Sequence, residues 1–173
     1  MSRLMLLSLV PCLLLAPVAN GEEPVDSLGG PWAGTWLLDP EASDPVEPML
    51  VLLKTPWIAR KAAAAMTPTM RITALGHGGL RVINENPIRT TNEEIFIDGV
   101  KRERLDPLDR KVVRSATLSA TGQLIVRNWN HVEEDEVVEV TSTWSLAGNT
   151  LEISNVIQGE DDALVIRRVF RKQ

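Results

Sequence analysis

The sequence predicts an all-β fold, a ten-stranded antiparallel barrel with a two-helix lid between its first and second strands. Three observations carry this prediction. Runs of β-prone residues recur from residue 69 to the C-terminus, separated by Gly-, Asn- and Asp-containing turns. Two short helical stretches, between residues 46 and 66, separate these runs from the first strand. Residues 22–173 contain no cysteine, so an exported domain must rest on a sizeable core rather than on disulfides.

Taken in order, the chain opens with what reads as a secretory leader. Ser2 and Arg3 form a short basic region, residues 4–15 are apolar, and Ala19-Asn20-Gly21 supplies small residues before cleavage at Glu22. The apolar run is well short of the roughly 20 residues that span a bilayer. The expectation is a signal peptide over residues 1–21 and a secreted or periplasmic protein. Residues 22–32, rich in Gly and Pro, read as a loose lead-in, and the barrel occupies residues 33–173.

The first strand is expected at 34–38, followed by helices at about 46–53 and 56–66. Pro56 suits a helix start, where its missing N–H is not needed. Thr67-Pro68-Thr69 stops that helix, because a residue before proline is driven from helical angles. Strands then fit at 69–75, 80–85, 88–97, 100–105, 110–119, 122–130, 135–146, 150–157 and 162–171. Asp98-Gly99 is the strongest hairpin signal among the turns. A meander of this length closes on itself to hide its edges, and ten strands leave room for a ligand.

Composition excludes several functions. Lys and Arg number 18 against 23 Asp and Glu in 173 residues, a formal charge of −5, so there is no basic surplus for nucleic acid. The only histidines, His77 and His131, sit in no metal-binding spacing, and no G-x-S-x-G elbow or phosphate-binding Gly loop is present. The reading is therefore a non-enzyme without metal or cofactor. The acidic run Glu133–Glu136 reads as a hairpin tip that discourages edge pairing.

The last strand points to a ligand. Its even positions are Leu164, Ile166, Arg168 and Phe170, one cation among large apolar groups, and that set is the better interior face. An arginine inside a barrel needs an anion, an acceptor network or water. Arg168 is either a carboxylate receiver or half of an internal ion pair. For Arg127, periodicity leaves both faces of its strand open.

Several motifs, in order, resemble the fatty-acid-binding protein family, the intracellular lipid-binding branch of the calycins. Gly34-Thr35-Trp36 resembles its opening G-T-W, and residues 46–69 resemble its helix-turn-helix lid. Asp109-Arg110-Lys111-Val112 is similar to its D-R-K-V, Gly122-Gln123-Leu124 through Asn128-Trp129 to its G-K-L…K-W strand, and Arg168-Val169-Phe170-Arg171-Lys172 to its closing R-x-Y-x-K. Phe170 stands where the family has a tyrosine, and the family's other inward arginine falls near Ser142 or Thr143. The resemblance implies a calycin-type barrel and a carboxylate held by Arg168. It also implies a polar inward residue at Arg127 and a role for Arg110 near one barrel end. Trp129 and Phe170 would contact the ligand.

Met49, Leu50, Leu53, Trp57, Ile58 and Met66 give the lid an apolar face to pack over the barrel mouth, with Trp57 a candidate ligand contact. Lys54, Arg60 and Lys61 could meet anionic lipid headgroups during transfer, or be a solvated helix face. The functional expectation is non-catalytic binding and transport of a fatty acid or similar hydrophobe by a monomer. Phe170 cannot donate the tyrosine's hydrogen bond, so a neutral hydrophobe is the second reading. An exported interaction module with a filled barrel is the third.

Overall fold

The computed structural model describes residues 30–87, 89–158 and 162–173. The expected leader, and the lead-in up to residue 29, lie outside the described residues. The strands are β1 (Gly34–Leu38), β2 (Thr69–Leu75), β3 (Gly79–Glu85), β4 (Thr90–Phe96), β5 (Arg102–Leu105), β6 (Lys111–Leu118), β7 (Leu124–Glu133), β8 (Glu136–Ala147), β9 (Thr150–Gln158) and β10 (Ala163–Lys172). Two helices, α1 (Glu47–Leu52) and α2 (Trp57–Ala64), lie between β1 and β2. Pro56 immediately precedes α2 with φ −53° and ψ 143°, extended backbone that turns the chain into the helix.

All ten strands join one antiparallel sheet in the order β4-β3-β2-β1-β10-β9-β8-β7-β6-β5. The β1–β10 pairing, with Leu38 opposite Phe170, brings the two ends of the chain together and curls the sheet into a barrel. The sheet's two edges are β4 and β5, consecutive strands that do not pair with each other. The Asp98-Gly99 turn is therefore present without the hairpin that the sequence led one to expect. Gly99 has φ +74° and donates its N–H to Ala116 O of β6 at 2.8 Å, while Asp98 Oδ1 accepts from Val100 N at 2.9 Å. The turn chemistry is local and correctly legible. The chain then crosses toward β6 instead of folding back along β4.

Tryptophans organise the core. Trp36 and Trp32 are almost fully buried, and Trp36 Nε1 donates to Trp32 O at 3.0 Å, which satisfies the one polar atom of a buried indole. Trp32 meets Trp144 edge-on, 6.4 Å between ring centroids. Ile72, Leu80, Leu124 and Leu151 are among the aliphatic members of this cluster. The described end of the expected lead-in, Gly30–Trp32, is thus a 3-10 turn whose Trp32 enters the core while Gly30 and Pro31 stay exposed. A few scattered apolar residues, Val25, Leu28 and Trp32, in a Gly- and Pro-containing segment give little periodicity to read.

Candidate functional site

Because side chains alternate along each strand, the rows opposite the solvent line an open interior. A first cavity of about 460 Å³ is walled by Met70, Val82, Ile95, Val126, Trp144, Ile153 and Phe170 of the sheet, and roofed by Met49, Ala63 and Met66 around the lid. A second, of about 580 Å³, lies beneath the lid and the β5–β6 turn. Both share Met49, Met66, Glu93, Arg114, Asn128, Ser142 and Asn155, so they are parts of one interior.

The interior wall is apolar with a polar band across it. Each of β6, β7, β8, β9 and β10 contributes one polar side chain to the first cavity: Arg114, Asn128, Ser142, Asn155 and Arg168. Register explains the band. Arg114 lies opposite Asn128, Ser142 lies opposite Asn155, and Asn155 lies opposite Ile166, one pleat from Arg168. Arg114 Nε donates to Asn128 Oδ1 at 2.7 Å, and Ser142 Oγ donates to Asn155 Oδ1 at 2.7 Å. Asn155 Nδ2 donates in turn to Ile166 O at 3.3 Å.

Arg168 forms no salt bridge among the described residues, and its buried Nε meets no hydrogen-bond acceptor there. Burial pulls its pKa below the usual guanidinium value, and the nearby charge of Asp44 partly opposes this. Asp44 itself accepts the backbone N–H of Arg167 at 2.8 Å. Phe170, on the same face, is buried against the cavity and offers no polar atom.

Glu93 carries the largest resolved perturbation inside the barrel. Burial alone would raise its carboxyl, but hydrogen bonds from Arg104 and the charges of Arg114 and Arg104 hold it down at about 2. Arg104 forks onto it at 2.5 and 2.8 Å, and Arg114 Nη1 donates to the same carboxylate at 2.8 Å. Burial lowers the pKa of Arg114, and the charge of Glu93 opposes that shift.

Of the residues expected at the site, Arg168 and Phe170 line the first cavity, and Arg110 borders the second. Arg110 is neutralised locally, its Nε donating to Asp106 Oδ2 at 2.8 Å, and its Nη1 pins Leu53 O at the end of α1 at 2.6 Å. Arg127 and Trp129 do not face the interior. Leu124 and Val126 fix the phase of β7 by entering the core, so Asn128 turns inward and Arg127 is exposed outside. Trp129 lies on the same outer face, its Nε1 donating to Glu139 Oε2 at 2.9 Å with Lys101 Nζ over its ring.

Trp57 is also displaced from the ligand side. Ala59, Ala62, Ala63 and Met66, at helical spacing, are the residues that face the cavities, leaving Trp57 62% and Ile58 76% exposed. Met49, Leu50, Leu53 and Met66 do face inward, as expected. Two of the lid's three cations are ion-paired within the protein, and the third, Arg60, meets a backbone carbonyl. Lys54 bridges Glu133 at 2.8 Å and also Glu136, Lys61 meets Glu47 at 2.9 Å, and Arg60 donates to Thr55 O. Of the polar band, the sequence points to Arg168 and touches on Ser142, whereas Arg114, Asn128, Asn155 and the Glu93 cluster carry no such signal. Single Asn, Ser and Arg residues within strands carry no motif, and only register brings them together.

No protein-family model matches the chain, and no curated protein matches it significantly by sequence. Solved structures do. The chain is similar to fatty-acid-binding protein 1 of Echinococcus granulosus, with 20% identity over 83% of this chain and 98% of that one and a TM-score of 0.67. It is similar to lipid binding protein 8 of Caenorhabditis elegans, with 19% identity, 83% and 96% coverage and a TM-score of 0.71. A fatty-acid-binding protein of Schistosoma mansoni in complex with arachidonic acid aligns with 14% identity, 84% and 98% coverage and a TM-score of 0.70. Element order, lid position and these superpositions agree: the chain has the fold of the fatty-acid-binding proteins.

Proposed function

We propose that this protein binds and carries a fatty acid or a similar acidic amphiphile inside its barrel, with the apolar chain in the interior and the acidic group at Arg168. The observation that carries the reading is Arg168 itself, a cavity-wall guanidinium without an ion-pair partner among the described residues. A half-buried cation whose Nε has no acceptor is stabilised by an anion that reaches it. Each ligand CH₂ taken from water contributes about 0.8 kcal/mol before ordering costs, so the chain supplies affinity and Arg168 supplies headgroup preference. The fold shared with fatty-acid-binding proteins supports this assignment, and the open interior favours it over a filled interaction module. The leader-like residues 1–21 support work outside the cytoplasm. Exposed Trp57 and Ile58 support delivery by brief contact of the lid with a lipid surface.

The test is a comparison of Arg168→Ala with the native protein against a fatty acid and its chain-matched alcohol. Affinity for the acid should fall about tenfold or more, as for loss of a charge-assisted hydrogen bond, with the alcohol little affected. Equal losses would remove the carboxylate assignment and leave the neutral-hydrophobe reading, which the apolar Phe170 favours.

A further inference from the structure

The charges on the interior wall exceed what one carboxylate needs. Among the described residues, Arg89, Arg104, Arg110, Arg114 and Arg168 line the two cavities, against only Glu93 and Asp106. This basic interior lies within a protein of formal charge −5. Arg110 is matched by Asp106, and Arg168 is the headgroup receiver of the reading above. Arg89 is exposed and donates to Pro107 O. What remains is a cluster in which two arginines share one carboxylate, with Arg104 and Arg114 both on Glu93 Oε2. Their combined charge is a surplus of one cation, at side-chain exposures of only 25% and 16%.

The path between Arg168 and this cluster is also polar. Asn128, Ser142 and Asn155 lie between them on the intervening strands. Four interstrand steps at about 4.8 Å each place β6 about 19 Å from β10 along the curved wall, within reach of a long extended chain. A ligand with one acidic end would occupy Arg168 and leave the surplus cation facing hydrocarbon, which is costly.

We propose that the interior holds a second oxyanion subsite at Arg104 and Arg114, so that the ligand class is an apolar chain bearing an acidic group at each end. This rests on the carrier reading and specifies its ligand. The first acid binds Arg168, and the second binds at the junction of the two cavities, where Arg114 borders both.

Titration calorimetry with hexadecanedioic acid and hexadecanoic acid tests it. The diacid should bind one per protein and about tenfold more tightly than the monoacid, the contribution of one further charge-assisted contact. Arg114→Gln leaves Glu93 and Arg104 as a neutral pair, and should abolish that advantage, so that the diacid and hexadecanoic acid bind about equally. Arg114→Lys, which keeps the charge, should retain most of it. If Arg114→Gln fails to fold, Arg104→Gln removes the same surplus from the more exposed arginine. Two hexadecanoic acids per protein, the second lost in Arg114→Gln, would support the subsite and give it to a second molecule. Equal affinity for both acids at one per protein overturns the subsite and leaves the carrier reading standing, provided Arg168→Ala still weakens the monoacid. Failure of both acids to bind removes the carrier reading and the subsite with it.

Discussion

Arg104 on β5 grips Glu93 on β4 through both terminal nitrogens, at 2.5 and 2.8 Å, across the junction where the sheet has no backbone ladder. Side chains therefore do there what main-chain hydrogen bonds do between every other pair of neighbouring strands. Arg89 adds a second crossing, Nη1 to Pro107 O at 2.8 Å. These side chains link the two edges of the sheet, which backbone pairing leaves apart.

The ion cluster sets an acid limit on stability. Glu93 has a folded pKa of about 2 against an ordinary 4.5, so its contribution is fully present above about pH 4.5 and is lost as pH falls through about 2. Glu93→Gln leaves two arginines facing each other and should cost about 3 kcal/mol at neutral pH. Urea unfolding of both proteins across pH should show that difference shrinking below pH 4.5 and gone below about pH 2. A pH-independent difference would assign the loss to packing.

Trp32 belongs to the core by burial and by the carbonyl it gives Trp36. Trp32→Ala should destabilise the protein by about 3–5 kcal/mol, as for large aromatic truncations in cores. A chemical unfolding midpoint close to that of the native protein would mean that the segment is dispensable.

The lid is tied to the barrel by ionic contacts at the turn between its two helices. Lys54, at φ +48°, reaches the β7–β8 hairpin tip, and Glu133 and Glu136 raise its pKa. Lys54→Ala should speed ligand dissociation several-fold, more at low salt than at high salt, with little change in stability. Trp57→Ser should slow transfer of ligand to vesicles without changing affinity, since Trp57 does not line the cavities. Stopped-flow transfer of a fluorescent fatty acid reads both rates. An affinity loss in Trp57→Ser would return that residue to the ligand site.

Arg127 and Trp129 provide the contrasting case. Arg127→Ala should leave affinity for a fatty acid unchanged, because Leu124 and Val126 turn the alternate residues of β7 inward. Trp129→Ala should cost the outer contacts with Glu139 and Lys101 and nothing at the site. Equilibrium binding by calorimetry separates these outcomes from Arg168→Ala.

The sequence by itself determined the strand number, the lid's place and the inward face of β10. Each follows from short-range chemistry: alternation, turn residues, proline, and one cation among large apolar neighbours in residues 164–170. It also made the Asp98-Gly99 turn legible. Tertiary structure decided what depends on partners distant in the chain. Whether β4 and β5 pair, which face of β7 enters the core, and whether Trp32 is buried are set by register and packing across the barrel. The polar band belongs to that second group as well. Arg114, Asn128, Ser142, Asn155 and Arg168 are spaced as unrelated residues along the chain, and become neighbours only because antiparallel pairing lays successive strands side by side.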